Sequence, residues 1–416
     1  MTQSLLQIPL DIPDVCIEKV ETTAKGEFII TVSSTLTSAT CHQCGQRIDK
    51  FYGYGREITL RHLSIFDRPV WIKLTPKRYR CPDCPKGPTT TQQCGWYNWK
   101  SPHTKAYEQW ILRELINSSV TDMDVKHGIS AEAAEGIINR HVAQQVDWSA
   151  IQGIRLLGLD EIALKKGHQD FVVIVSAIDT EDHKRILAVL PDRKKETVKA
   201  FLQNIPEAQQ HALQRVCVDM YEGYRNAVYE TLPGVEVVVD RFHVAKHYRD
   251  GADQVRKAEM KKLKNTLSAE DYAKLKGAMW AFRKRWMELS ADQQTVLLFL
   301  FQQAPILREV YIQRELLTGI FERRLNKAEA EKALDRWMEH IKVLKLKGFD
   351  AFVKTYQNWR NEITNYFIRR ETSGFVEGLN NKIKSIKRRC FGIYNTVRLF
   401  QHIWLDIEGR RLFGYA

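Results

Sequence analysis

The apolar positions of this chain change their period four times, and each change marks a different kind of element. Residues 1–100 read as short β-like runs, such as Phe28–Val32 and Val70–Leu74, punctuated by Cys, Gly and Pro. Residues 104–146 turn helical. Trp110, Ile111 and Leu115 form one face of Lys105–Asn117, and Thr121-Asp-Met-Asp124 reads as a capping box for a short helix ending near Gly128. Ser130 can cap Ala131–Gln145, with Ile137, Ile138 and Val142 turned inward. Short helix, glycine-containing turn and longer helix is the order of a helix-turn-helix. Glu132 and Glu135, at the front of the last helix, argue against direct DNA reading there, because phosphates repel them.

From Ile154 the pattern alternates as strands do: Ile154–Leu159, Phe171–Ile178 and Arg185–Leu190. A helix over Lys194–Asn204, a strand at Arg215–Val218, a helix at Tyr221–Thr231 and a strand at Val235–Val239 follow. That order predicts a mixed sheet flanked by helices, with Leu164–Asp170 as a hairpin turn. Residues 244–368 are helical throughout, and a basic helical tail ends the chain. With 416 residues, two to four domains are expected.

Composition is that of a globular protein, 44% hydrophobic and 27% charged. Charge changes the picture: 63 Lys+Arg against 50 Asp+Glu gives +13 and a pI near 9.2, a balance that suits a polyanionic partner. A solvated basic surface would have the same composition. The longest apolar helical run, Val296–Phe301, is too short to span a bilayer. The opening MTQSLLQIPLDIPD has no basic region followed by a long apolar run, so the expected location is the cytoplasm, against the nucleoid.

Four of the eight cysteines form two pairs, Cys41-His-Gln-Cys44 and Cys81-Pro-Asp-Cys84, separated by 36 residues. Two such knuckles complete a tetrahedral, closed and therefore structural Zn²⁺ site. The plainer reading is buried free thiols, but paired spacing speaks for metal. Cys94 and His103 are spare ligand candidates, and Cys16, Cys217 and Cys390 read as core or incidental.

Asp160 ends the strand IRLLGLD and Asp219 ends RVCVD, with 58 residues between them. If the first and fourth strands are neighbours, the two carboxylates meet at one edge of the sheet. Paired carboxylates repel unless cations neutralise them, which suggests Mg²⁺ or Mn²⁺ and two-metal phosphoryl transfer. Glu377, separated from Asp219 by 157 residues, would supply a third carboxylate. In a helix, Glu377, Asn381, Lys384 and Arg388 share one face, which would continue a metal site into a DNA groove, with Lys387 and Arg389 beside it. Taken singly, each acid reads as an ordinary strand-end or surface carboxylate. Asp240, which also ends an apolar strand, rivals Asp219; Glu161 should point to the opposite side of its strand.

The segments GLDEIALKKG, VCVDMYEGYR, VVVDRFHVAKH and above all TSGFVEGLNNKIKSIKRRCFGIYN resemble the ISL-type insertion-sequence transposases, a bacterial family with a DDE active site. By motif, the family's acids fall on Asp160, Asp219 and Glu377. Asp240 and His243, in DRFH, resemble an accessory Asp-x-x-His motif of other DDE transposases. The resemblance implies a zinc ribbon over 1–100, a helix-turn-helix over 101–150, and a ribonuclease-H-like domain over 151–245 and 368–416. An all-α insertion would occupy 246–367. It also implies magnesium-dependent cleavage at terminal inverted repeats, then strand transfer into target DNA. Joining two ends requires a homodimer or larger assembly. A nuclease of the same fold and a non-catalytic DNA-binding regulator are the rival readings. Trp280, Trp286, Trp337 and Trp359 read as helical core more readily than as base-stacking platforms.

Overall fold

The computed structural model describes residues 9–165, 169–370, 374–390, 393 and 395–414, without the side chains of 165, 169, 170, 374–377 and 380. They form two compact units, Met1–Val142 with Glu408–Ala416, and Ala143–Ile407. Among the described residues, no helix is long and apolar enough to cross a membrane.

In the first unit, Val15–Thr22, Phe28–Ser34, Arg68–Leu74 and Ile58–Ile65 form a four-stranded sheet in that order. Burial alternates along its inner strands, as a half-buried sheet requires, and Ile30, Val32, Val70, Ile72 and Leu74 pack with Trp96 and Tyr97. Two smaller sheets, Ala39–Thr40 with Arg47–Ile48 and Phe51–Tyr54 with Lys77–Arg80 and Thr89–Thr91, lie in the segment that carries the paired cysteines.

Three helices follow: α1 (Lys105–Leu115), α2 (Val120–His127) and α3 (Ala131–His141). The expected Thr121 capping box is displaced. Ser119 caps α2, with Asp122 closing the box, because Ser119 has the extended backbone an N-cap needs. Gly128 ends α2 in the left-handed region at φ 62°, and Ser130 caps α3 as its sequence predicts. α3 stops at His141, short of Gln145. Its last turn delivers Arg140 and His141 to Glu108 of α1, a carboxylate with no solvent exposure. Arg140 and His141 each reach Glu108 at 2.6 Å, and Ser101 donates to it at 2.7 Å.

The second unit is built on a five-stranded sheet: β1 (Ile154–Lys165), β2 (Gln169–Asp179), β3 (Lys184–Leu190), β4 (Arg215–Val218) and β5 (Glu236–Val239). Their order is β3-β2-β1-β4-β5, with β1–β2 and β2–β3 antiparallel, and β1–β4 and β4–β5 parallel. Strand β1 runs past the expected end at Leu159, because β2 pairs with it as far as Lys165↔Gln169. Residues 166–168 of the expected hairpin turn lie outside the described residues.

Alternation along β1 divides the sheet's two faces. Leu157 and Leu159 pack with Val216, Val218 and the helices α4 (Lys195–Gln203) and α5 (Glu222–Thr231), through Val198, Leu202, Tyr224 and Val228. Ile162 and Leu164 face the other way, onto Leu379, Ile383 and Ile386 of α7 (Gly374–Arg389) and Leu399, Phe400 and Ile403 of α8 (Thr396–Phe413). Between β5 and α7 lies a helical segment opened by α6 (Arg241–Thr266). Its core includes Tyr248, Phe282, Leu317, Trp337 and Trp359, together with Val238 and Val239 of β5. Trp337 and Trp359 are thus core, Trp286 is half-buried against it, and Trp280 is 62% exposed. The segment is pinned to the sheet where Asn365 donates to the Val237 carbonyl at 2.8 Å, and to α5 where Tyr229 donates to Glu362 at 2.8 Å.

Burial alone would raise the Glu108 carboxyl, but hydrogen bonds from His141, Ser101 and Arg140 outweigh it and hold the group at about 2. Its stabilisation is complete above the ordinary value of 4.5 and is lost as pH falls toward 2. Glu108→Gln should destabilise the first unit by about 3 kcal/mol at neutral pH, by stranding Arg140. In an acid titration followed by circular dichroism, the variant should also lose the wild-type dependence in that window.

Candidate active site

The parallel register sets the site. Gly158 pairs with Cys217, and Val218 with Val239. Continued past the last paired residues, the same register puts Asp160, Asp219 and Asp240 at one level, beyond the carboxyl ends of β4 and β5. Alternation gives Asp160 the face opposite Leu159, toward the side that α7 covers, and Asp219 follows directly on the end of β4. Asp160 does not end its strand, as the sequence suggested. It lies within β1 but beyond the stretch paired with β4, so the neighbouring strand stops while β1 continues.

Charge crowds here. Burial first, then Asp240, raises the Asp160 carboxyl, while the Glu161 N–H (2.7 Å to Oδ1), His243 and Lys384 pull it back. Asp219 is pushed up to about 6, by burial and then by the charges of Glu161 and Asp160, with His243 opposing. Asp219 Oδ1 is buried and has no hydrogen-bond partner among the described residues. A buried, unbonded carboxylate oxygen facing other acids is the donor chemistry a hard divalent cation fits. Asp160, Asp219 and Asp240 do not by themselves bring three ligand atoms within 4.8 Å of one another. Asp240 is otherwise engaged: it caps α6, accepting from Phe242 N at 2.7 Å, and lies 4.0 Å from His243 Nε2.

Glu377 belongs to α7, the helix packed against β1, two turns before Lys384; its side chain lies outside the described residues. Asn381, Lys384 and Arg388 are exposed. Lys387 and Arg389 have partners within the protein. Lys387 is half-buried and donates to the Ala163 carbonyl of β1, and Arg389 pairs with Asp406 at 2.6 Å. Glu161 points to the opposite face, as expected, where Tyr224 donates to it at 3.1 Å and Arg193 at 3.2 Å. Sequence reading missed this network, although Tyr224, one turn into the helix after Asp219, was its visible sign. Arg193 also stacks over Phe171 and Tyr221, both at 5.3 Å.

In the first unit, Cys41, Cys44, Cys81 and Cys84 gather ligand atoms within 4.8 Å of one another, with sulfur pairs at 3.9 Å (Cys41–Cys84) and 3.8 Å (Cys44–Cys81). Gly45 (φ 71°) and Gly87 (φ 53°) turn the two knuckles, donating to the Cys41 and Cys84 carbonyls. Backbone N–H groups of Cys44 and Gln43 lower the Cys41 thiol to about 6, whereas neighbouring thiols push Cys84 to about 12. One thiolate forms readily and the full set needs a cation, so the cluster fits zinc. Cys94 bonds Ser34 and His103 stacks on Tyr107; both stay outside the cluster.

A family described as a transposase, of the ISL3-type DDE class, matches residues 157–403. The chain belongs to it. A second family, the zinc-finger of transposases of IS204, IS1001, IS1096 and IS1165, matches residues 37–84 and so takes in all four clustered cysteines of this transposase. The transposase for insertion sequence element IS1001 of Bordetella parapertussis is 27% identical over 377 residues, 89% of each chain. The transposase for IS1557 of Mycobacterium tuberculosis is 23% identical over 399 residues, 90% of this chain and 87% of that one. Among solved structures, the Drosophila P element transposase strand transfer complex has a TM-score of 0.40 at 12% identity, covering 75% of this chain and 92% of that chain.

Two outcomes are expected. Purified protein should contain one zinc per chain by elemental analysis, and Cys44→Ser or chelation should unfold the ribbon while leaving the helical signal of the second unit intact. The raised Asp219 carboxyl favours folding fully below 3.8, and that contribution is lost as pH rises through about 6. Metal-free Asp219→Asn should therefore melt about 2–4 °C above wild type at pH 7, yet lose the wild-type rise in Tm on adding magnesium or manganese.

Proposed function

We propose that this transposase recognises the terminal inverted repeats of its own insertion sequence, cleaves DNA there and joins the freed ends to target DNA. Asp160, Asp219 and Glu377 would be the metal-binding acids. The observation that carries the reading is the buried Asp219 Oδ1, unbonded among the described residues and raised by the charge of Asp160, beside a parallel register that ends two residues before both acids. The strand order β3-β2-β1-β4-β5 supports a ribonuclease-H-like catalytic domain, interrupted by a helical insertion between β5 and α7. The capped α2, the Gly128 turn and α3 support a helix-turn-helix after a zinc ribbon. The names of the relatives support an insertion sequence as the substrate.

Magnesium, or manganese, bound there would activate the attacking hydroxyl and stabilise charge on the leaving oxygen. The protein's own groups do the rest. Asp160 and Asp219 supply negative charge at a fixed spacing set by the sheet. Lys384, whose charge Asp160 feels, and exposed Arg388 would hold the DNA backbone along one face of α7. His243 lies where its charge reaches both Asp160 and Asp219, and the Asp240 cap fixes the turn that carries it. Bringing two ends together calls for a homodimer or larger assembly.

The test is cleavage and joining of duplexes carrying the element's own ends, with magnesium. Asp160→Asn, Asp219→Asn and Glu377→Gln should each lower both steps about a thousandfold or more while DNA binding persists. Asp240→Asn, which keeps a capping acceptor, should retain most activity; a loss equal to that of Asp219→Asn would make Asp240 the second acid. Cutting without joining would leave a nuclease, and binding with no chemistry in wild type a regulator.

A further inference from the structure

Helix α6 leaves the acid row at its cap, Asp240, and presents Phe242, Lys246 and Arg249 at i, i+4 and i+7, a single helical face. They rise about 6 and 10.5 Å along the axis from the aromatic ring. Phe242 is 47% exposed, with its ring edge-on to His243 at 5.7 Å between centroids. These three side chains line a cavity of 260 Å³ whose far wall includes Phe282, Arg283 and Arg314. The far wall's charges are already matched. Arg283 pairs with Asp253 at 2.7 Å, and Arg314 donates to the carbonyls of Phe282 and Lys284. Lys246 and Arg249 are exposed and have no bonded partner among the described residues, with Asp250 the one further carboxylate lining the cavity.

A lone exposed aromatic needs no explanation. An aromatic beside an acid row, backed on the same helical face by two cations with no bonded partner among the described residues, is a different case. The cavity falls a little short of the roughly 300 Å³ at which pockets for drug-sized ligands begin, which suits a single base with its sugar. A base inside a duplex has no free π-face, so the ring can stack only on a nucleotide that has left its pair.

We propose that this cavity receives one unpaired nucleotide of the DNA strand next to the reacting phosphodiester, its base on Phe242 and its flanking phosphates on Lys246 and Arg249. The proposal rests on the reading of Asp160 and Asp219 as the site of phosphodiester chemistry, and adds to it how the end is opened.

The full-length protein is tested on duplexes of the element's ends, fully paired or carrying one mismatch beside the cleavage site. Phe242→Ala should cut the paired end about tenfold more slowly than wild type, and Phe242→Trp should not. The mismatch should restore most of the Phe242→Ala loss, because the cost of unpairing has been removed. Equal rates for wild type and Phe242→Ala on paired DNA overturn the proposal, as does a loss the mismatch fails to relieve. Failure of the underlying reading looks different, since wild type would then cut neither duplex. Binding is read separately with 2-aminopurine at successive positions in complexes of Asp219→Ala, which need no chemistry. One position should change fluorescence with Phe242 present and stay unchanged in the double variant with Phe242→Ala; a uniform response overturns the proposal.

Discussion

Like charges that the backbone forces together are the constraint on which the second unit depends. Three parallel or extended strands bring Asp160, Asp219 and Asp240 to one level, where burial and mutual repulsion raise Asp160 and Asp219. Nothing local favours that arrangement. The large apolar faces of the sheet support it, with Leu157, Val216 and Val237 on one side and Ile162, Val172 and Ile174 on the other. The register is strongly specified because a slip of one residue would turn every one of these side chains to the wrong face. The repulsion at the row is therefore offset by packing elsewhere.

The helical segment between β5 and α7 contributes to the same end. Its core incorporates Val238 and Val239, so β5 is packed on one side by helices that are not part of the sheet's own layers. Asn365 closes the connection by bonding the Val237 carbonyl, three residues before Asp240. Arg225 lies over Trp359 at 4.2 Å and bonds the Asn358 carbonyl, tying α5 to the same segment. The chain can thus leave the sheet after Asp240 and return with α7 without loosening the strand end that Asp240 occupies.

Much of this was legible in the sequence because the strands are short, apolar and clearly bounded. Arg215–Val218 matched the prediction at both ends, and the strand order put Asp219 and Asp160 on neighbours. The length of β1 was not legible: Asp160-Glu161 interrupts the apolar run, while the pairing of β2 with Ile162 and Ala163 extends the strand beyond it. Nor was the Ser119 cap, since Ser119 and Thr121 are chemically equivalent caps and only the backbone distinguishes them. The buried Glu108 was invisible for a similar reason. Its partners Ser101 and Arg140 are far apart in sequence, and a glutamate in an amphipathic helix ordinarily faces water.

Formal charge gave the weakest guidance, and the structure explains why. An excess of 13 positive charges says nothing about where a polyanion would lie until the internally matched cations are subtracted. Lys387 is spent on a β1 carbonyl and Arg389 on Asp406; Arg314 and Arg283 hold the helical core together. Lys384 and Arg388 on α7, and Lys246 and Arg249 on α6, are exposed and have no bonded partner among the described residues. α6 starts at the row through its cap, Asp240, and α7 meets it at Lys384, whose charge Asp160 feels. Cations without a bonded partner among the described residues therefore lie on the two helices that reach these acids. On the proposed reading of those acids, a backbone carrying one phosphate per nucleotide would meet a cation-bearing helix on either side of them.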